Sequence, residues 1–192
     1  MRLNIGSCEE WLRAASMEFA DDFERAGYEM PSRMRFAIAF PSTGRFGKRV
    51  GECWADDISR DHTHEIFIRA DRDDPIEVLS ILVHEIVHAL VGSAAKHGPL
   101  FRKCALAIGL EGPMRHTTAS PPLVDRLTEI AGKIGPLPHA ALDWTKRPKQ
   151  TTRLLKAQCL CGYTARVARL WVDRLGAPHC PRHGEMTLEG SP

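Results

Sequence analysis

Three residues in the run Leu82-Val83-His84-Glu85-Ile86-Val87-His88, and a fourth, His97, nine positions further on, are chemically suited to one another. Two histidines four residues apart lie on one face of a helix, about 5–6 Å apart at Cβ. Both imidazoles then reach a single metal ion, at about 2.0–2.1 Å for zinc. The glutamate beside them is placed to take a proton from a metal-activated water. The spacing predicts the working face of a zinc peptidase, with His84 and His88 expected as ligands and Glu85 as general base. Catalytic zinc sites use three protein ligands and keep a fourth position for water. His97 is the expected third ligand, because the intervening residues end the helix and turn the chain back at Gly92-Ser93. Glu111, in a Gly-Leu-Glu-Gly turn, is the nearest carboxylate alternative and ranks below His97.

A second set lies near the C-terminus. Cys159-Leu160-Cys161-Gly162 and His179-Cys180-Pro181-Arg182-His183-Gly184 read as two metal-binding knuckles, each ending in glycine. Cys159, Cys161, Cys180 and His183 are the expected ligands of a structural zinc, with His179 able to replace one of them. A disulfide or spare thiols are the alternative. Two ligand sets give two zinc ions, one catalytic and one structural. The module around the second set, about 40 residues, is too small to fold on apolar burial alone. Cys104 reads as core, Cys53 as part of a strand and Cys8 as part of a first helical turn.

The elements that must position these residues follow from punctuation and periodicity. Ser7 and Glu10 form a capping box, and Trp11, Leu12, Ala15, Phe19 and Phe23 follow near helical spacing up to Gly27. Residues 34–40, 50–54 and 65–69 read as strands of a short antiparallel sheet, with 65–70 as the edge open to a peptide. Asp74-Pro75 opens the central helix, which runs to Val91-Gly92 and is apolar almost all round. Such a helix is buried, and His84, Glu85 and His88 inside it need partners that a metal would supply. Gly98-Pro99 opens a further helix, with Gly98 letting the backbone bend beside the metal. Ser120-Pro121-Pro122 opens the last one. The expected fold class is α+β, with a domain over 1–134, a linker over 135–152 and a metal-bound module over 153–192.

The 192-residue chain has a net charge of +2 that is unevenly spread. Between Trp144 and His183 there are nine Lys or Arg against Asp173 alone, so this stretch carries +8 and the remainder −6. The basic stretch points to DNA as a partner through phosphate neutralisation. Trp171 lies within it and is able to stack on a base, although packing over the small core is the plainer role. Residues 1–20 carry Glu9, Glu10, Arg13 and Glu18, so no export signal is expected. Nor is there an apolar run long enough to span a membrane. A reducing, cytoplasmic setting, with nucleoid association, is the expectation, and it favours metal-binding over disulfide cysteines.

The pattern His84-Glu85-x-x-His88 with His97-Gly98-Pro99-x-Phe101, together with Gly51-Glu52-Cys53-Trp54 and the C-terminal Cys/His knuckles, resembles the SprT-like (Spartan-type) zinc metallopeptidases. The metzincin spacing is excluded, since it would put the third histidine at Ala94. The resemblance implies a zincin-like domain with an HExxH active-site helix, followed by a zinc ribbon. It also implies proteolysis of DNA-associated or DNA-crosslinked proteins. Ribbons of that family usually show C-x-x-C, where this chain has C-x-C. The rival reading is a non-catalytic, zinc-containing DNA-binding protein whose N-terminal domain is a zincin-shaped scaffold.

Overall fold

A computed structural model describes residues 5–146 and 154–189. The chain is α+β and divides into two compact units, Met1–Trp144 and Thr145–Pro192.

In the first unit Ser7 caps α1 (Cys8–Glu18). Its hydroxyl accepts from the Glu10 amide at 3.2 Å, and the Glu10 carboxylate accepts from the Ser7 amide at 3.2 Å. The expected single helix to Gly27 is interrupted at Phe19 and resumes as α2 (Ala20–Arg25). Phe19 keeps near-helical angles (φ −82°, ψ −10°), so the apolar stripe through Trp11, Ala15, Phe19 and Phe23 stays continuous and buried.

β1 (Met34–Ile38), β2 (Gly51–Trp54) and β3 (His64–Ile68) form a sheet in the order β1-β3-β2. β2 is antiparallel to β3, but β1 is parallel to it. The expected all-antiparallel sheet is therefore corrected to a mixed one. Residues 55–63 reverse the chain as a hairpin does. Residues 39–50 instead carry it past the position beside β1, which β3 then fills in the same direction. The expected open edge at 65–70 is corrected too, because β3 is central and β2 lies at the edge.

α3 (Pro75–Val91) is capped by Asp74, whose carboxylate accepts from the Glu77 amide at 2.8 Å, and it stops at Gly92 with φ +79°. Val78, Leu79, Leu82, Val83, Ile86 and Val87 are fully buried, as its all-round apolar sequence requires. A 3-10 turn (Ser93–Ala95) and α4 (Pro99–Ala107) follow. Next comes a short hairpin of β4 (Leu110–Glu111) and β5 (Thr118–Ala119), and then α5 (Pro121–Ile134). The hairpin is absent from the sequence expectation. One core joins these elements, with Trp11, Phe19, Phe23, Phe101, Leu79 and Leu127 among its largest members. Residues after α5, read in sequence as linker, are tied to this unit. The Leu142 amide donates to Ala70 O at 2.8 Å, the Ala141 amide to Asp73 at 3.1 Å, and the Trp11 indole to Gly135 O at 2.9 Å.

The second unit contains β6 (Leu155–Gln158), β7 (Thr164–Val167), α6 (Arg169–Leu175), β8 (His179–Cys180), β9 (Gly184–Glu185) and β10 (Thr187–Glu189). β10-β6-β7 form one antiparallel sheet and β8-β9 another. Among the described residues, its core is Ala157, Cys159, Cys180 and Met186. Among the described residues, no helix is long and apolar enough to cross a membrane.

Candidate metal centres

α3 presents His84 and His88 one turn apart, with ring centroids 5.0 Å from each other. Beyond Gly92, the Gly98 amide donates to Ala95 O at 2.9 Å and closes a tight turn. Lys96, at φ +46° and ψ −125°, occupies the first central position of a type II′ turn, where glycine is usual. His97 is the next residue, and the turn swings it onto the α3 histidines. Its Nε2 lies 3.1 Å from His88 Nε2 and 3.3 Å from His84 Nε2. All three donor atoms fall within 4.8 Å of one another. A tetrahedral ion bound at about 2.0–2.1 Å to each nitrogen has donor–donor edges of about 3.3–3.4 Å, so the three nitrogens fit one ion.

Two further side chains hold the rings. Phe101 of α4 is fully buried and packs against all three, with centroids at 4.9, 4.5 and 4.9 Å from His84, His88 and His97. Thr117 Oγ1 lies 2.7 Å from His84 Nδ1. With Nε2 facing the cluster, Nδ1 carries the proton and donates it to that hydroxyl, which fixes both tautomer and ring plane. Burial pushes His84 down to about 3, helped by His88, His97 and His116. Burial, His97 and Arg49 bring His88 to about 4. His97 is lowered by burial and by Arg115, His116 and Arg49. At neutral pH the three rings are therefore uncharged and offer lone pairs, as a metal requires.

Glu85 is 5% exposed and points to the edge of the small sheet. The bond from the Arg69 amide to Val50 O makes Val50–Arg69 a hydrogen-bonded pair across β2 and β3. By alternation Gly51 and Cys53 turn their backbone groups away from β3. The Cys53 amide accordingly lies on the Glu85 side of the strand and favours the charged form of that carboxyl. A Cβ on Gly51 would fall 2.5 Å from Glu85 Oε1 and 2.6 Å from Ile81 Cγ2, so only glycine lets strand and carboxylate approach this closely. Burial and the neighbouring Glu52 charge raise Glu85 to about 8, against the pull of Arg49 and the Cys53 amide. Burial and the Glu85 charge in turn push the Cys53 thiol up to about 12. Burial works to raise Glu52 as well. Ser42, donating through its hydroxyl at 2.6 Å and its amide at 2.7 Å, and Arg49 outweigh that burial and hold the carboxyl below its usual range.

In the second unit Cys159, Cys161, Cys180 and His183 place their donor atoms within 4.8 Å of one another. Cys161 Sγ is 3.8 Å from Cys180 Sγ, while His183 Nδ1 is 3.5 Å from Cys159 Sγ and 3.7 Å from Cys180 Sγ. Bonds of about 2.3 Å to sulfur and 2.0–2.1 Å to nitrogen give tetrahedral edges of about 3.8 and 3.6 Å, so this set also fits a single ion. Amides of Arg182 and His183 point at the Cys180 sulfur and, with the His183 ring, hold its thiol down at about 6 against burial. The Cys161 amide does the same for Cys159, but burial and the neighbouring thiols outweigh it and leave that thiol raised.

The structure thus brings together each of the two residue sets expected from sequence. His179 is exposed in β8 and outside the four-residue group, and Glu111 is exposed in β4. Of the nine basic residues, Arg147, Lys149 and Arg153 lie outside the described residues, and Lys156 is paired with Glu189 at 2.9 Å. Trp171 is 54% exposed, and Arg174 lies over its ring at 6.0 Å. Gly51, the Cys53 amide, Thr117 and the ring contacts of Phe101 all go unassigned in the sequence reading. Thr117 carries no sequence signal, because it follows a hairpin turn of ordinary polar residues. No family model, curated protein or solved structure matches the chain.

Proposed function

We propose that the chain is a zinc-dependent peptide hydrolase of the SprT-like kind. In this reading the first unit is zincin-like and the second is a zinc ribbon, and the substrates are proteins bound on or crosslinked to DNA. One observation carries the reading: three imidazole nitrogens converge on one helix and turn beside a buried carboxyl that packs against an edge strand at Gly51. His84, His88 and His97 would hold the catalytic ion. Bound there, it would supply Lewis acidity toward a water and a carbonyl.

The remaining work falls to the chain. Thr117 and Phe101 keep the three rings aimed at one point. The outward carbonyls of Gly51 and Cys53 accept from an extended peptide, as strand addition does, and lay its own carbonyl beside Glu85. Glu85 takes the proton of the attacking water and returns it to the leaving nitrogen. Cys159, Cys161, Cys180 and His183 hold the second zinc, and the basic residues around them neutralise DNA phosphates without reading sequence.

The test compares wild type with Glu85→Gln for metal content and for cleavage of a DNA-bound protein. Both proteins should carry two zinc ions, and the variant should lose at least about a hundredfold in rate. A variant as active as wild type removes Glu85 from the mechanism. A fully loaded wild type that cleaves nothing leaves the non-catalytic DNA-binding scaffold as the better reading.

A further inference from the structure

The loop between β1 and β2 displays an aromatic ring that the fold does not use. Phe46, in Gly44-Arg45-Phe46-Gly47-Lys48-Arg49, is 75% exposed. Trp144 meets its ring edge-on, with centroids 5.5 Å apart and planes at 83°. The Arg45 guanidinium lies over the same ring, 4.6 Å from its centroid.

This loop is built rather than loose. The Gly44 amide donates to Pro41 O at 2.7 Å, and the Gly47 amide to Gly44 O at 3.0 Å. Arg69, only 8% exposed, donates to Gly47 O at 2.6 Å and to Arg45 O at 3.4 Å. It therefore grips the carbonyls on both sides of Phe46, and Asp71 at 2.9 Å holds Arg69 in turn. A Cβ on Gly47 would fall 2.1 Å from Thr43 Oγ1, so the turn closes only with glycine there.

The loop carries three cations, Arg45, Lys48 and Arg49, of which Arg45 lies over the ring. Arg49 is paired with Glu52; among the described residues, no ion pair engages Arg45 or Lys48. A rigidly held aromatic pair flanked by uncompensated cations is the recognition chemistry of bases and phosphates together. Every base has a π-face to stack on an aromatic ring, and guanidinium groups both stack and bind phosphate.

We infer that the Gly44–Arg49 loop with Trp144 is a binding site for single-stranded polynucleotide, in which an unstacked base lies on the Phe46–Trp144 pair and phosphates lie on Arg45, Lys48 and Arg49. A duplex fits poorly, because its bases are already stacked on each other. A lipid surface also fits poorly, since the Arg45 guanidinium covers one face of Phe46 and the charged loop offers no apolar wedge to insert. The site belongs to the first unit, whereas the proposed DNA-binding stretch is largely in the second. It lies near the histidine centre, because Arg49 is two residues from Gly51, where an added Cβ would fall 2.5 Å from Glu85 Oε1. Strand bound here would therefore hold any attached protein close to the proposed hydrolytic site. The inference rests on the DNA-directed part of the proposed function and not on the hydrolysis itself.

The test uses the full, zinc-loaded chain and labelled oligo-dT and oligo-rU in fluorescence anisotropy at fixed salt. Phe46→Ala should weaken binding roughly tenfold, and Phe46→Tyr, which keeps the stacking face, should restore it. Lys48→Ala should reduce the salt slope by about one. Bromouracil-substituted oligonucleotide should crosslink to the peptide containing Phe46 or Trp144. If oligo-dT alone binds tightly, the ligand is DNA; equal binding of oligo-rU widens it to RNA. Cleavage of a short unstructured peptide without nucleic acid should be the same for Phe46→Ala as for wild type. Wild-type affinity in both Phe46→Ala and Lys48→Ala, with wild type binding the oligonucleotide, overturns this site alone. Loss of anionic-vesicle binding in Phe46→Ala, with oligonucleotide binding intact, overturns it in favour of a membrane. A wild type that binds no polynucleotide overturns both this site and the DNA-directed reading, while peptide cleavage still stands or falls by itself.

Discussion

The histidine centre is set on a helix whose other faces are fully buried among Leu79, Leu82, Ile86, Phe101 and Leu127. The cysteine centre has no such foundation, since two of the four residues in its core, Cys159 and Cys180, are themselves candidate ligands. In the first unit the apolar core fixes the shape, and the donors are placed upon it. In the second, removing the donors removes half the core. The donor counts match this contrast. With a four-coordinate ion, three nitrogens would leave a coordination position free, whereas three sulfurs and a nitrogen would close the shell.

The largest effect that would break the comparison is loss of the second ion. Cys180→Ala, or a strong chelator, should unfold residues 154–189, because binding free energy on the order of 10 kcal/mol is folding free energy in so small a unit. Amide dispersion in NMR spectra should collapse for that unit only, with the first unit melting as before. A metal-free second unit that kept dispersed signals would erase the contrast.

Next in size is Gly51→Ala. The added methyl meets Glu85 Oε1 and Ile81, and displacing the proposed general base by about 1 Å should cost about a hundredfold in rate. Stability should fall only by about 1–3 kcal/mol, the usual range for overpacking. Peptide turnover measured beside thermal melts tests whether function is more fragile than fold in this unit.

A smaller loss is expected from Thr117→Val, which removes the acceptor for the His84 Nδ1 proton. Zinc affinity at the histidine centre should drop about 10- to 100-fold, with the cysteine centre unchanged. Competition with a chromophoric chelator resolves the two sites. The smallest effect is a gain. Lys96→Gly relieves a positive φ at a non-glycine residue and should stabilise the metal-free first unit by about 1 kcal/mol in denaturant titrations. No gain there would mean that the turn carrying His97 is not strained before metal binds.

Legibility in the sequence followed the range of the forces involved. α3 was readable end to end, because Asp74, Pro75 and Gly92 act on their immediate neighbours and its burial is written into Val78–Ala89. The capping box at Ser7 and Glu10 was readable for the same reason. Both ligand sets were readable because metal-binding spacing is local on each knuckle or helix turn. Strand order was not, since the parallel pairing of Met34–Ile38 with His64–Ile68 depends on where a crossover lands. The two-residue strands at Leu110 and Thr118 were too short to show alternation, and Thr117 went unseen with them. The need for glycine at position 51 arises from contacts with Ile81 and Glu85 on a helix far along the chain, which no short window contains.

The segregation of sulfur into one unit and nitrogen into the other has an optical consequence. Cobalt(II) placed in both centres would show thiolate-to-metal charge transfer only from the Cys159, Cys161, Cys180 and His183 set, because the His84, His88 and His97 set has no sulfur to supply it. The near-ultraviolet would then report the second unit, and weak visible bands outside its spectrum would report the first. Occupancy of each centre becomes readable in a single cuvette, without separating the two halves of the chain.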